Sequence, residues 1–235
     1  MKRVLRVMGF TLIGAGGLVL AFLVYQLFIT DLINARSQDR ATVELVQVLV
    51  ERRQDLATTT TTAPDSVTST TTTLEPVLMR EPAGVEGQPL GLLIIDKIEL
   101  EAVLFEGVDR KTLKQGPGHM PWTPLPGQPG NAVLSGHRTT YGRPFYELDQ
   151  LVVGDEIEVE TAIGVSVYEV RVIDIVAPTD VYVTDPIPGA WLTLTTCHPR
   201  FSAAERLVIQ AELVSGPNLE FVETLATAAA SRDAA

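Results

Sequence analysis

A single cysteine, Cys197, in a chain of 235 residues rules out an internal disulfide. Histidine is almost as scarce. His119, His137 and His198, with that one cysteine, give no recognisable structural zinc spacing, so no metal site and no cofactor are expected. Positive charge is short as well: 18 Lys and Arg stand against 29 Asp and Glu, for a net charge of −11 and a pI near 4.7. Beyond the first six residues there is no Lys/Arg cluster, so nucleic acid has no electrostatic footprint here and is not an expected partner.

One stretch lacks charge altogether. Val7–Thr30 is a run of 24 residues without Asp, Glu, Lys or Arg, long enough as a helix to exceed the ~30 Å hydrocarbon core of a membrane. Lys2, Arg3 and Arg6 precede it and Asp31 follows, so the positive-inside rule places residues 1–6 in the cytoplasm and everything after the span outside the cell. The apolar core is longer than that of a secretory signal, which favours a retained single-pass anchor over residues 7–30. Residues 31–56 mix charges with Leu32, Val43, Leu45, Val46, Leu49 and Val50 at helical spacing, and read as a membrane-proximal helix without an identified partner, or a stalk. Residues 57–89 read as a linker: ten of the sixteen residues from Thr58 to Thr73 are threonine, and Pro64, Pro76, Pro82 and Pro89 punctuate the region. Such a linker would let a membrane-held domain reach into a surrounding layer such as a cell wall.

From Leu90 the pattern changes to short apolar runs between Gly/Pro/Asp-rich breaks. Leu92–Ile95, Ala102–Phe105, Ala132–Ser135, Glu156–Glu160, Ser166–Ile175, Trp191–Thr196 and Leu207–Leu213 are the expected strands, which makes residues 90–214 an all-β barrel or sandwich of seven or eight strands. One helical turn is expected at Arg110–Lys114. Residues 215–235 form an Ala-rich tail that opens with Ser215-Gly216-Pro217.

The chemistry concentrates at two strand ends. Leu192–Thr196 is apolar or β-branched and Pro199 has no ladder donor, so Cys197 falls where a strand stops, with Arg200 and Arg206 close by to favour a thiolate. His137 follows Gly136 at the end of another strand. A thiol and an imidazole far apart in sequence, each at a strand end, are the layout of thiol acyl transfer. His198 is nearer to Cys197 in sequence, but in an extended strand its side chain points to the opposite face. For the negative oxygen of a tetrahedral intermediate, Arg206 is the expected holder and Arg200 the alternative. His119 is as easily a loop-ordering residue as a site residue.

Thr195-Thr196-Cys197 followed by Arg206, with His137, resembles the signature of the sortases, the membrane-anchored cysteine transpeptidases of Gram-positive bacteria. Gly116-Pro117-Gly118-His119, Pro126-Gly127-Gln128, the run Ser135–Gly142, Leu194–Cys197 with Pro199, and Tyr25-Gln26-Leu27 are similar to the class E sortases of actinobacteria. The resemblance implies an eight-stranded closed β-barrel in which Cys197 is the nucleophile, His137 the acid/base and Arg206 the oxyanion or substrate holder. It also implies the reaction. A Leu-Pro-x-Thr-Gly or Leu-Ala-x-Thr-Gly sorting signal is cut between Thr and Gly through a thioacyl enzyme, and the surface protein that bears it passes to an amine of a peptidoglycan precursor or a pilin lysine. Two other readings compete: an L,D-transpeptidase that cross-links peptidoglycan, and a non-catalytic wall-binding module on a threonine stalk.

Overall fold

Period-two alternation decides the architecture. Leu192 and Leu194 are fully buried, as are Ala132 with Leu134 and Ile209 with Ala211, while their strand neighbours point the other way. A strand with one apolar face must bury it against another, and here the sheet closes on itself so that these side chains meet in a single core. The structure, a computed structural model, describes residues 2–25, 30–60 and 76–233. Its strands are β1 (Pro89–Ile95), β2 (Leu100–Glu106), β3 (Gly118–His119), β4 (Gly130–Ser135), β5 (Glu156–Thr161), β6 (Gly164–Val176), β7 (Ala190–His198) and β8 (Glu205–Ser215). They close in the order β1-β2-β3-β4-β7-β8-β6-β5, the eight-stranded barrel that the resemblance implies, and of the barrel or sandwich that the apolar runs left open it is the barrel. β4 runs parallel to β7, and β7 antiparallel to β8.

Every expected strand is present, extended at its ends by residues such as Gly130, His198 and Glu205 that carry no apolar signal. β3 lies in what the sequence presents as loop: it is two residues long, parallel to β2 and antiparallel to β4. At Arg110–Lys114 there is one turn, closed by the Leu113 N–H donating to the Asp109 carbonyl at 3.0 Å.

Three helices accompany the barrel: α1 (Lys2–Val24), α2 (Thr30–Thr60) and α3 (Leu219–Asp233). Among the described residues no helix is long and apolar enough to cross a membrane. The expected span Val7–Thr30 includes residues 26–29, which lie outside the described residues, and α1 ends at Val24. Along α1 the apolar side chains of Phe10, Ile13, Leu18 and Val19 are exposed.

α2 runs past Leu56 to Thr60, and it is seated on the barrel. Ala41, Leu45 and Leu49, spaced to share one helix face, are buried with Val103, Phe105 and Ala162 in a second apolar cluster. Polar side chains on the same helix bind barrel backbone: Gln38 donates to the Gln115 carbonyl at 2.6 Å and accepts from the Val103 N–H at 2.8 Å. Arg52 donates to the carbonyls of Pro82 and Leu90 and lies 3.5 Å from Glu81, whose carboxylate accepts from the N–H groups of Ala162 and Ile163. Most of the threonine-rich stretch, residues 61–75, lies outside the described residues. Beyond residue 214, Asn218 is fully buried and donates to the carbonyls of Met79 and Gly127, and Val222 of α3 joins the barrel core. Truncating a well-buried leucine typically costs about 2–5 kcal/mol. Leu45→Ala is therefore expected to lower the unfolding free energy of the barrel by about that amount in urea titrations read by tryptophan fluorescence. A helix that served only as a stalk would leave the midpoint where it was.

Candidate functional site

Two paired strands and the end of a third bring Cys197, Arg206 and His137 to one row. In β7 the even-numbered Leu192 and Leu194 face the core, so the odd-numbered Thr193, Thr195 and Cys197 face outward. Cys197 is paired with Arg206 across the antiparallel β7/β8 ladder, which puts thiol and guanidinium side by side on that outer face. On the other side of β7 the parallel register pairs Ser135 with Thr195, where β4 ends, and His137 follows two residues later on the Cys197 side of that pair. Contacts on both sides of His137 hold that continuation in place. The Gly136 N–H donates to the Thr195 carbonyl at 3.2 Å, the Thr196 hydroxyl donates to the Gly136 carbonyl at 2.8 Å, and Arg138 donates to the Cys197 carbonyl at 3.3 Å.

Gly136 is required where it stands. A Cβ there would come within 2.6 Å of the buried Phe145 ring, which packs beneath the turn that carries His137. The floor of the outer face continues toward the start of β7 through Thr193, whose hydroxyl donates to Asn131 Oδ1 at 2.6 Å. Asn131 in turn donates to the carbonyls of Val183 and Asp185, fixing the turn Val181–Thr184 as a wall over β4.

His137 is half-buried against Tyr141, with ring centroids 5.1 Å apart, and its Nε2 has no hydrogen-bond partner among the described residues. Burial, and then the nearby Lys114 charge, hold its pKa below the ordinary histidine value, so the imidazole is neutral at neutral pH. Removing a neighbouring positive charge relieves the imidazolium. Lys114→Gln is expected to move the His137 titration upward when its ring protons are followed by NMR, whereas a downward shift would mean that Lys114 does not act on it.

The other candidates lie elsewhere. His198 is paired with Glu205 and turned to the opposite face, where its Nδ1 meets Arg138 at 3.1 Å. Arg200 is held by Glu147 at 2.7 Å and Asp149 at 2.8 Å and stacks on the Tyr146 ring at 4.3 Å, away from the row. His119 is almost wholly buried, with Nδ1 at 2.9 Å from Glu106 and Nε2 at 3.0 Å from the Pro124 carbonyl. Those contacts tie the segment before β4 to β2 and make His119 a loop-ordering residue. Among the described residues no group of His, Cys, Asp and Glu could hold a metal ion.

The sortase-domain family model matches residues 93–214, from β1 into β8. The chain belongs to the sortase family. Among curated relatives it is similar to sortase SrtE1 of Streptomyces coelicolor, 35% identical over 152 residues. That match takes in 57% of this chain and 43% of the relative, so the chain spans less than half of that protein's length. The solved structure of sortase E1 from Streptomyces coelicolor, with a tripeptide in its active site, is similar at 33% identity and TM-score 0.52, covering 55% of this chain and 90% of that one. A sortase D5 transpeptidase from Clostridium perfringens, 24% identical, shares the fold with a TM-score of 0.61 over 77% of this chain and 99% of its own. The class E likeness read from the motifs is thus matched by class E relatives, and the family replaces the L,D-transpeptidase alternative.

Proposed function

We propose that this sortase-family chain is a cysteine transpeptidase that cuts a C-terminal sorting signal between Thr and Gly and transfers the surface protein to a cell-wall amine. The pairing of Cys197 with Arg206 across β7 and β8, with His137 just past the end of neighbouring β4, carries the reading. His137, neutral at rest, takes the Cys197 thiol proton as Sγ attacks the threonine carbonyl carbon, while Arg206 offers N–H donors to the oxygen that becomes negative. Collapse breaks the Thr–Gly C–N bond, and the imidazolium gives that proton to the departing glycine amine. In the second half His137 takes a proton from the incoming amine, whose nitrogen displaces Sγ, and returns it to the sulfur, which restores the free enzyme. The acceptor is an amine of a peptidoglycan precursor or a pilin lysine, and the signal is of the Leu-Ala-x-Thr-Gly kind associated with class E sortases. The uncharged run Val7–Thr30, with Lys2, Arg3 and Arg6 ahead of it, supports an anchor in the cell membrane with the barrel outside.

Mass spectrometry of the enzyme mixed with Leu-Ala-x-Thr-Gly peptides tests the chemistry. Wild type should carry a thioacyl adduct on Cys197, removable by hydroxylamine, and Cys197→Ala should carry none. An adduct that persists in Cys197→Ala would rule out the thiol route.

A further inference from the structure

Arg138 is a charged residue almost wholly buried, 2% exposed, and it does not belong to the row of three. Its guanidinium fills the space behind that row, on the face of β7 opposite the thiol. Nη1 donates to the Cys197 carbonyl at 3.3 Å and to His198 Nδ1 at 3.1 Å, Nε donates to the Tyr146 carbonyl at 3.4 Å, and Nη2 forms an ion pair with Asp149 at 2.7 Å. Asp149 stands at the rim, where Arg200 also holds it. A buried guanidinium is costly unless its donors and its charge are both satisfied, and here each partner belongs to a different part of the site. One contact reaches the backbone of Cys197, one the Tyr146 backbone beside the core residue Phe145, and one a carboxylate that offsets the charge. The main chain of Arg138 is continuous with His137.

We propose that Arg138 is a positioning residue that sets the Cys197 thiol against the His137 imidazole. This rests on the reading of those two residues as the reacting pair. β4 ends at Ser135, so beyond it the ladder no longer fixes His137 relative to Cys197. The contact from Arg138 to the Cys197 carbonyl takes over where the ladder stops. Because Nη1 also faces the lone pair of His198 Nδ1, that imidazole is spent as an acceptor behind the strand. The guanidinium fork supplies what an ammonium cannot: three nitrogens at fixed angles, Nη1 for the Cys197 carbonyl and the His198 imidazole, Nε for the Tyr146 carbonyl and Nη2 for the Asp149 carboxylate.

The test uses the full-length protein in detergent, a Leu-Ala-x-Thr-Gly peptide with a glycine amine acceptor, and the variants Arg138→Ala, Arg138→Lys and Asp149→Asn. Misplacing a reacting group by about 1 Å costs on the order of 10²-fold, so Arg138→Ala should lose about that much kcat with KM within roughly twofold of wild type. Arg138→Lys, which keeps the charge to Asp149 but lacks the fork, should recover part of the loss. A rise in KM at unchanged kcat would place the guanidinium on the substrate, and wild-type kinetics would remove its role; either overturns the inference. If Arg138→Ala does not fold, Asp149→Asn at the exposed rim decides, with a lower kcat at unchanged KM expected and wild-type kcat overturning the inference. A substrate-free readout separates this inference from the proposed reaction. The pH dependence of Cys197 alkylation by iodoacetamide in Arg138→Ala should take the form it has in His137→Ala, because an uncoupled thiol titrates alone. If Arg138→Ala keeps the wild-type profile while His137→Ala changes it, the inference fails and the thiol–imidazole pair stands. If wild type alkylates as expected yet turns over no peptide, the transpeptidase reading fails by itself.

Discussion

His137→Ala is expected to lower peptide transpeptidation by ~10²–10⁴-fold, the usual loss when a general acid is removed, while His198→Ala keeps activity within a few-fold of wild type. The two histidines differ in face. His137 follows the end of β4, two residues past the Ser135–Thr195 pair, and its Nε2 has no partner among the described residues to occupy it. His198 is next to Cys197 in the chain, but strand alternation turns it to the other side, where Arg138 donates to its Nδ1. The modest loss foreseen for His198→Ala comes from that contact alone. Release of the glycine-side fragment from a Leu-Ala-x-Thr-Gly peptide, followed by chromatography with circular dichroism to check folding, distinguishes the two. A dead His198→Ala beside an active His137→Ala would mean that the outward row is not the reacting row.

Much of the row was legible because its signals are local. Leu192–Thr196 announces a strand, Pro199 ends it, and period two then separates Cys197 from His198 without any tertiary information. Short apolar runs between turn-rich breaks gave seven of the eight strands, and β3 was missed because two residues, one of them glycine, make no apolar run. What could not be read were contacts that polar residues make at long range. Arg52 and Gln38 look like the solvated face of a helix, yet they satisfy backbone carbonyls and a backbone N–H on the barrel, so α2 is packed rather than free. Arg138, in a run of Gly, His and Thr, looks like a surface residue of a loop. Its partners Cys197 and His198 come about sixty residues later, and only Asp149, within the same loop region, could have hinted that the charge was matched.

The second large effect separates the two arginines that follow Cys197. Arg206→Ala should cost about 10²-fold in kcat, close to 3 kcal/mol of transition-state stabilisation, whereas Arg200→Ala should change it by no more than a few-fold. Arg206 is the direct cross-strand partner of Cys197, and its Nη1 donates to the carbonyls of Ala203 at 3.1 Å and Glu205 at 2.9 Å, which steady the guanidinium at the start of β8. A donor fixed there before reaction need not reorganise when charge develops on the substrate oxygen. Arg200 sits only three residues after Cys197, but Glu147 and Asp149 hold its Nη2 and the Tyr146 ring holds its plane, so its charge is already matched by two carboxylates. Arg206→Lys keeps a positive charge without the planar fork and should fall between wild type and Arg206→Ala. Single-turnover rates on the sorting-signal peptide, taken at saturating enzyme so that binding drops out, give the comparison. Equal losses for Arg206→Ala and Arg200→Ala would remove Arg206 as the oxyanion holder, and a loss confined to KM would move it from the developing charge to the resting substrate.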